Sequence, residues 1–263
     1  MSPELRAAID AALAAGRIQR RHFRRPVEIE TKVDDTPVTR VDRASEAAIR
    51  KVLAPIIPGA AFVGEESYAG AGIDEMWGSV RSASPVWIVD PLDGTKKFVR
   101  GLPFFGPCVA LQRDGDLALG VIHLPALRET LWAERGEGAY LNGKRIRVAE
   151  PTPLARAYVV IGNQSEFYRR PWRQALERLV GLVYHDPGFL DLYSYASLAA
   201  GRVDAVVMVG ESPWDVAAAR VILEEAGGRF TDFQGQPTIY SGTTIASGGP
   251  LHDELLPLLA DCR

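Results

Sequence analysis

The stretch Trp87-Ile88-Val89-Asp90-Pro91-Leu92-Asp93-Gly94-Thr95 carries the strongest structural signal in this 263-residue chain. Its apolar start has the length of a buried strand, and the strand ends with two carboxylates three residues apart. Pro91 restricts the backbone between them. Oxygen ligands of this kind suit hard cations such as Mg²⁺, which also take water and phosphate oxygens. The glycine after Asp93 permits close backbone approach, and amides at a helix start can bind a phosphate.

Three further segments add carboxylates to this pattern. Gly64-Glu65-Glu66-Ser67 follows an apolar run of strand length, and Pro213-Trp214-Asp215 places an acid at the start of a predicted helix. Asp42 follows Thr36-Pro37-Val38-Thr39. Each has another interpretation, because Asp-Gly is a common turn and an aspartate at a helix start is a good cap. Together they favour a metal site over separate turns and caps.

Composition and charge describe an ordinary globular chain. The sequence is 47% hydrophobic and 24% charged, with a net charge of −3, so it offers no basic face for nucleic acid. We interpret the single basic cluster, Arg20-Arg21 with Arg24-Arg25, as a solvated helix face. Cys108 and Cys262 are too few for a disulfide framework or a zinc site. There is no signal core and no apolar run of about 18 residues, so we expect a cytoplasmic protein without membrane contact.

Hydrophobic periodicity divides the chain into two predicted halves, residues 1–149 and 150–263. In the first half it predicts helices over residues 5–22 and 42–53, followed by an antiparallel meander with strands at 60–63, 85–89, 108–111, 117–122 and 129–133. In the second half it predicts strands at 158–161, 203–208 and 244–246, and helices at 171–179, 190–200, 215–226 and the C-terminus. The fold class is therefore α+β, with helices layered on an antiparallel sheet in the N-terminal half and on a mixed sheet in the C-terminal half.

The order and approximate spacing of these motifs resemble the inositol monophosphatase family. The resemblance spans nearly the whole chain, from Gly64-Glu65-Glu66-Ser67 through Trp87–Thr95 to Trp214-Asp215-Val216-Ala217 and Glu225-Ala226-Gly227-Gly228. It implies a five-layer αβαβα sandwich, a homodimer, and Mg²⁺-dependent hydrolysis of the phosphate monoester of a small molecule, with two or three ions per active site.

The resemblance also assigns the metal ligands. Glu65, Asp90 and the Leu92 carbonyl are implied to hold a first ion. Asp90, Asp93 and Asp215 are implied to hold a second, so that Asp90 bridges the two. Four carboxylates packed together would repel one another strongly, and bound cations reverse that penalty.

The remaining catalytic roles come from the same resemblance. A third, weaker ion is implied near Glu65, with Lys32 and Asp42 as supporting partners outside the direct ligands. The amides of Gly94 and Thr95 are implied to bind the phosphate. Thr95, Asp42 and Glu65 are implied to act on the water that attacks in line.

The residues after Thr95 bear on the substrate. The segment Lys96–Gly106 resembles the histidinol-phosphate phosphatase branch of the family, whereas inositol phosphatases more often continue with Thr-Asn-Phe. Residues 36–39 and Asp191–Ala196 also suit that branch. The residues expected to face the substrate are Asp93, Asp191, Ser194 and Glu211.

One departure leaves the substrate open. Both branches usually carry a glutamate seven residues before the aspartate of the second metal, and this chain has Met208 there. Glu211 is the nearest acidic replacement. Histidinol phosphate is the favoured substrate, and the alternatives are inositol phosphate, a sugar bisphosphate or a nucleotide 3′-phosphate. The pair Lys96-Lys97 would suit a second anionic group, although solvated lysines are the commoner explanation of such a pair. An alternative of another class is a catalytically silent relative that binds metabolites.

Overall fold

The computed structural model describes residues 1–32, 36–68, 77–78, 80, 84–169, 172–189 and 191–260. The described residues of the first part of the chain include two long helices, two short helices and nine strands. They are α1 (Pro3–His22), β1 (Ile29–Thr31), β2 (Pro37–Thr39), α2 (Arg40–Leu53), β3 (Ala61–Gly64), α3 (Glu65–Tyr68), β4 (Val86–Asp93), α4 (Thr95–Val99), β5 (Gly106–Arg113), β6 (Asp116–Leu124), β7 (Glu129–Glu134), β8 (Gly138–Leu141) and β9 (Lys144–Ile146).

The second part alternates helices and strands, as predicted. It contains a 3₁₀ turn (Leu154–Arg156), β10 (Val159–Ile161), α5 (Gln164–Arg169), α6 (Arg173–Leu182), α7 (Leu192–Ala199), β11 (Ala205–Val209), α8 (Pro213–Glu225), β12 (Arg229–Thr231), β13 (Thr243–Ser247) and α9 (Gly249–Ala260). Pro171 and Leu190, which the predicted helices included, lie outside the described residues. The division of the chain at residue 150 stays a prediction.

Local chemistry explains where the two long helices begin. The Ser2 hydroxyl accepts a hydrogen bond from Leu5 N (3.1 Å), with proline in the first turn of α1. α2 begins with a capping box, in which Thr39 and Asp42 satisfy each other's backbone amides. The second of these caps also fixes the position of Asp42, one of the predicted site residues.

The larger sheet has seven strands in the order β3-β4-β5-β6-β7-β8-β9. All neighbours are antiparallel except β3 and β4, which are parallel. The prediction of a purely antiparallel sheet is therefore wrong at this edge. The connection between Gly64 and Val86 is too long for a hairpin, and a parallel pair requires such a crossover.

The smaller sheet has the order β10-β11-β13-β12. β10 and β11 are parallel and the other two pairs are antiparallel, which confirms the predicted mixed sheet. The short strands β1, β2, β8, β9 and β12 were not predicted, because none contains a run of four apolar residues like those that predicted β3 and β10.

The two faces of each sheet give the layer order. One face of the larger sheet, with Trp87 and Val89, packs against α1 and α2. Its other face, with Ile88, packs against α7 and α8, which in turn cover Val206 of the smaller sheet. The outer face of that sheet, with Val207, packs against α5, α6 and α9. This alternation is the αβαβα sandwich that the sequence predicted. Within the described ranges, every helix is too short or too polar to span a lipid bilayer.

Candidate active site

A bulge at the end of β4 places the two central carboxylates. Asp90 pairs with Cys108 and Asp93 with Gly106, so β4 has one residue more than β5 over this interval. In a regular strand, residues three apart face opposite sides, whereas an extra residue lets them share a side. Both carboxylates line one cavity of about 190 Å³. The Asp90 Oδ1 atom also accepts a hydrogen bond from Leu92 N (2.8 Å), which fixes its orientation.

Glu65 reaches the cavity from the neighbouring strand β3, as the first residue of α3. Lys32 Nζ lies 2.7 Å from Glu65 Oε1 and 2.7 Å from Glu66 Oε1. Burial opposes the charged form of Lys32, but the two carboxylates outweigh burial and raise the pKa of its ammonium. Burial also disfavours the charged form of Glu66, and this raises the pKa of Glu66 to about 7, although Lys32 opposes the shift. Lys32 therefore lies beside Glu65 as a supporting cation, where the sequence predicted it.

Asp42 and Thr95 meet at the next corner of the site. The Thr95 hydroxyl lies 2.8 Å from Asp42 Oδ1 and 2.9 Å from the Leu92 carbonyl oxygen. The other oxygen of Asp42 accepts from Thr39 N (2.9 Å) and from the Thr39 hydroxyl (2.6 Å). Asp42 is thus both the helix cap and the partner of Thr95, and its buried position holds the hydroxyl in place.

Asp215 comes from α8 and also lines the cavity. Its Oδ2 atom accepts from Ser212 N (2.7 Å) in a capping box, so the capping interpretation of this residue is also correct. Burial raises the pKa of Asp90, Asp93 and Asp215 well above the usual range, and the charges of neighbouring carboxylates add to the effect.

The donors of this cavity fit Mg²⁺ by their chemistry. They are oxygen atoms, and burial raises the pKa of the Asp90, Asp93 and Asp215 carboxyls among them, as expected where a cation would stabilise the charged form. In the part of the chain that the structure describes, no three His, Cys, Asp or Glu side chains form a group that could hold a metal by themselves. Mg²⁺ commonly takes only one or two carboxylates and completes its shell with other oxygens. Here the Leu92 carbonyl, water and a phosphate would supply them.

Gly94 occupies a position that no other residue could take easily. Its φ is +82°, and a Cβ atom there would lie 2.6 Å from the Phe104 carbonyl oxygen and 3.3 Å from Asp191 Oδ2. Thr95 begins α4 immediately afterwards, and both residues line the cavity. This is the position that the predicted phosphate contacts require.

Asp191 is the predicted substrate residue that the structure brings to the cavity along with Asp93. Its Oδ2 atom lies 2.5 Å from Lys97 Nζ, and both side chains line the cavity wall. The backbone of Asp191 has a φ of +61°, which is unusual for a residue with a Cβ atom. The amide of the following residue, Leu192, donates to Asp93 Oδ2 (2.7 Å), so this strained turn is tied directly to the carboxylate cluster.

Ser194 and Glu211 lie elsewhere. Among the described residues that line the cavity, neither is found. The Ser194 hydroxyl is buried and donates to the Phe189 carbonyl oxygen (3.2 Å). Both oxygens of Glu211 accept from the Tyr195 hydroxyl (2.7 Å each), and one also accepts from Thr244 (2.8 Å). The polar groups of these two side chains therefore already form hydrogen bonds within the protein.

We expect Glu211 to make stability depend on pH. Burial raises its pKa to about 7, although its hydrogen bonds from Tyr195 and Thr244 oppose the shift. The folded chain therefore holds a proton that the unfolded chain releases near pH 4.5, so this contribution is present below that pH and lost as the pH rises through 7. Glu211→Gln should reduce the loss of unfolding free energy between pH 5 and 7.5 by about 2 kcal/mol.

Urea unfolding at both pH values measures this change. Glu137→Gln, which removes the same charge from an exposed position, serves as the control and should leave the pH dependence of the wild type intact. An identical pH dependence in Glu211→Gln and wild type would show that Glu211 titrates normally.

Two positions explain what the sequence did not reveal about the substrate side. Met208 is buried in β11 and packs against Gly162, where a Cβ atom would lie 2.7 Å from Met208 Cγ. Asn163 lines the cavity and donates from Nδ2 to the Val209 carbonyl oxygen (2.7 Å). The Gly-Asn pair signals a turn after β10, but nothing in the sequence shows that this turn reaches the site.

Comparison with known proteins agrees with this geometry. The pattern described as the inositol monophosphatase family matches residues 1–262. The chain is 36% identical to the histidinol-phosphatase of Chlorobaculum parvum, over 94% of this chain and 92% of that protein. It is 36% identical to the fructose-1,6-bisphosphatase/inositol-1-monophosphatase of Thermotoga maritima, over 89% of this chain and 86% of that protein. The structure of the extragenic suppressor protein suhB from Bartonella henselae superposes with a TM-score of 0.86, at 29% identity and 99% coverage of both chains. The chain belongs to the inositol monophosphatase family.

Proposed function

We propose that this phosphatase hydrolyses histidinol phosphate to histidinol and inorganic phosphate, and that Mg²⁺ is its metal. The family is generally metal-dependent, and two or three ions per site are proposed here on the resemblance of the motifs. The observation that carries the substrate is Asp191, which lines the same cavity as the candidate metal ligands. An ammonium group on the substrate needs such a carboxylate. The similarity to the Chlorobaculum parvum histidinol-phosphatase supports the same choice.

The ion pair at Asp191 fits an amine substrate without a large electrostatic cost. Lys97 neutralises Asp191 when no substrate is present, with side chains 20% and 19% exposed. A substrate ammonium would replace the Lys97 ammonium at the Asp191 carboxylate. The net charge of the pair formed at Asp191 would therefore not change. The Asp191 carboxylate therefore has a cationic partner in both states.

The chemistry proposed at the other end is an in-line displacement by water. Bound Mg²⁺ would lower the pKa of a water molecule and offset charge on the phosphate and the leaving oxygen. Thr95 would orient that water and pass its proton towards Asp42, whose Oδ1 atom lies 2.8 Å from the Thr95 hydroxyl. Glu65 would act beside them, with Lys32 Nζ 2.7 Å from its Oε1 atom. The amides of Gly94 and Thr95 would hold the phosphate oxygens.

A panel of phosphate esters tests the substrate. Release of inorganic phosphate should be measured with Mg²⁺ on histidinol phosphate, inositol 1-phosphate, fructose 1,6-bisphosphate and a nucleotide 3′-phosphate, with chelator as the control. Histidinol phosphate should give the highest kcat/KM. If no ester is hydrolysed above the chelated control, the silent metabolite-binding alternative replaces this proposal.

A sugar bisphosphate is the second candidate substrate. Lys96 and Lys97 both line the cavity, and Met208 supplies no carboxylate at the substrate side. The name of the Thermotoga maritima relative includes a bisphosphatase activity. A second phosphate group would draw Lys97 away from Asp191, whereas an ammonium would compete with Lys97 for it. Fructose 1,6-bisphosphate is therefore the decisive comparison in the panel.

We expect Thr95→Ala to lower kcat about 10²-fold, the usual scale for losing a group that handles the proton in the transition state, with a smaller change in KM. Initial rates on the best substrate of the panel measure both constants. Thr95→Ser is the matched control and should recover most of the activity, because it keeps the hydroxyl that faces Asp42. A raised KM at unchanged kcat would make Thr95 a binding residue only.

A homodimer and a cytoplasmic location are also proposed. Support for the dimer comes from large apolar side chains exposed just before β10 and around the end of α6: Tyr158, Leu182 and Tyr184 are 42%, 45% and 64% exposed. Light scattering of the purified protein tests the oligomeric state.

A further inference from the structure

A second concave surface lies at the far end of α4. The start of this helix lines the carboxylate cavity, whereas Phe98 and the residues up to Gly101 line a separate groove of about 440 Å³. The end of α1 and the start of β1 form its other walls. One five-residue helix therefore separates the two cavities.

The described side chains that line this groove include four basic residues, His22, Arg24, Arg25 and Arg100, and no acidic residue. Arg24 has a structural contact, because its Nε atom donates to the Gly101 carbonyl oxygen (3.1 Å) and joins the two walls. Arg25 and Arg100 are exposed, and within the described ranges no carboxylate forms an ion pair with either. Two guanidinium groups are thus available to a ligand.

The charge balance of the groove is positive. α1 and α4 both end here, and each helix C-terminus contributes on the order of half a negative charge at most. His22 directs its Nδ1 atom to the Ile18 carbonyl oxygen (3.0 Å) at the end of α1. Glu30, on the adjacent strand, is paired with Arg43 (2.6 Å). The three positive charges of Arg24, Arg25 and Arg100 exceed the combined negative charge of the two helix ends. The exposed Glu28 nearby adds one negative charge, and the balance stays positive.

The floor of the groove is formed by apolar side chains. Phe98 is buried in a small core that Val27 packs against. Ile29 lines the groove and is 50% exposed, so a large apolar side chain faces solvent between charged neighbours. A ligand with an apolar body would cover this side chain and remove it from water.

We propose that this groove is a second anion-binding site, for a small organic phosphate whose head binds Arg25 and Arg100 and whose body covers Ile29. Arginine is suited to this task because its planar guanidinium binds phosphate oxygens through two parallel hydrogen bonds. The site is separate from the reaction proposed above and does not depend on its substrate.

Calorimetric titration of the Mg²⁺-loaded enzyme with phenylphosphonate tests the site. Wild type should bind one more phenylphosphonate per chain than the double variant Arg25→Gln/Arg100→Gln. The control Arg128→Gln/Arg147→Gln removes the same charge from exposed positions elsewhere and should match wild type. Because the carboxylate cavity is unchanged in all three proteins, the difference is independent of what that cavity hydrolyses. Equal stoichiometry and affinity in wild type and the Arg25/Arg100 variant would overturn the proposal.

A second variant tests the class of ligand. Ile29→Ser should weaken phenylphosphonate at this site several-fold and leave methylphosphonate binding unchanged, because only the former covers the side chain. Unchanged binding of phenylphosphonate would overturn the assignment of an organic body. Far-ultraviolet circular dichroism and an unchanged kcat would show that each variant is folded.

Discussion

Asp90→Asn should reduce kcat at least about 10³-fold at saturating Mg²⁺ while leaving a folded protein. Asp90 is 2% exposed, and burial raises its pKa. The charges of Glu65, Asp93 and Asp215 around it raise the pKa further. As the proposed bridging ligand it affects both ions, and metal ions supply several kcal/mol of stabilisation to a phosphoryl transition state. Initial rates of phosphate release at saturating substrate measure the loss of kcat.

The same substitution should have the opposite effect on stability when Mg²⁺ is removed. An amide keeps the oxygen that accepts from Leu92 N (2.8 Å) but carries no charge, so repulsion with the neighbouring carboxylates disappears. In chelator at neutral pH, Asp90→Asn should therefore melt higher than wild type. Mg²⁺ should raise the Tm of wild type much more than that of the variant, because a ligand stabilises only the state that binds it.

Asp10→Asn is the control for both measurements, because Asp10 is exposed on α1. It should change neither kcat nor the response of Tm to Mg²⁺. Wild-type turnover in Asp90→Asn at saturating Mg²⁺ would contradict the bridging role, whatever its effect on stability.

The carboxylate cluster was predictable because most of it lies at chain positions that report directly on structure. Asp90 and Asp93 end an apolar strand, Glu65 follows another, and Asp215 lies in the first turn of a helix. Each signal is local, so one sequence suffices to find it. The bulge that turns Asp90 and Asp93 to one side is not visible in the sequence, and a regular strand would have placed them on opposite faces.

The substrate side was harder to predict because it depends on contacts between distant segments. Lys97 follows β4 and Asp191 precedes α7, and only the folded chain brings their charges together. Asn163 reaches the cavity through a turn after β10. Glu211 was expected at the substrate because it is acidic and near Met208, but the hydroxyls of Tyr195 and Thr244 surround its carboxylate. Residue type alone does not show which polar groups the protein itself satisfies.

The direction of β3 relative to β4 was also hard to predict, because it depends on distant parts of the chain. The apolar runs before Glu65 and Asp90 were recognised as strands, but their relative direction depends on the path between them. A parallel arrangement brings the carboxyl ends of both strands to one edge of the sheet, and this is why Glu65 and Asp90 can share a cavity. The strand direction that the sequence analysis missed is thus a requirement of the site that it found.

Asp191→Asn should lower kcat/KM for histidinol phosphate roughly 30-fold more than for glycerol phosphate, which has no ammonium group. Removing one partner of a partly buried charge pair costs on the order of 2–5 kcal/mol, and the 19% exposure of Asp191 favours the lower end of that range. The loss should appear mainly in KM, because the ammonium contact exists before and during the reaction. Steady-state kinetics on the two esters gives the comparison.

Lys97→Met is the matched variant on the other side of the ion pair. It leaves Asp191 without the ammonium that lies 2.5 Å away, so histidinol phosphate should meet less competition and bind with a lower KM. Fructose 1,6-bisphosphate should instead bind with a higher KM, because its second phosphate loses a cation. Opposite shifts for the two substrates would support an amine-binding carboxylate at Asp191. Equal losses on histidinol phosphate and glycerol phosphate in Asp191→Asn would show that Asp191 only shapes the turn before α7, and the metal chemistry at Asp90 would stand without it.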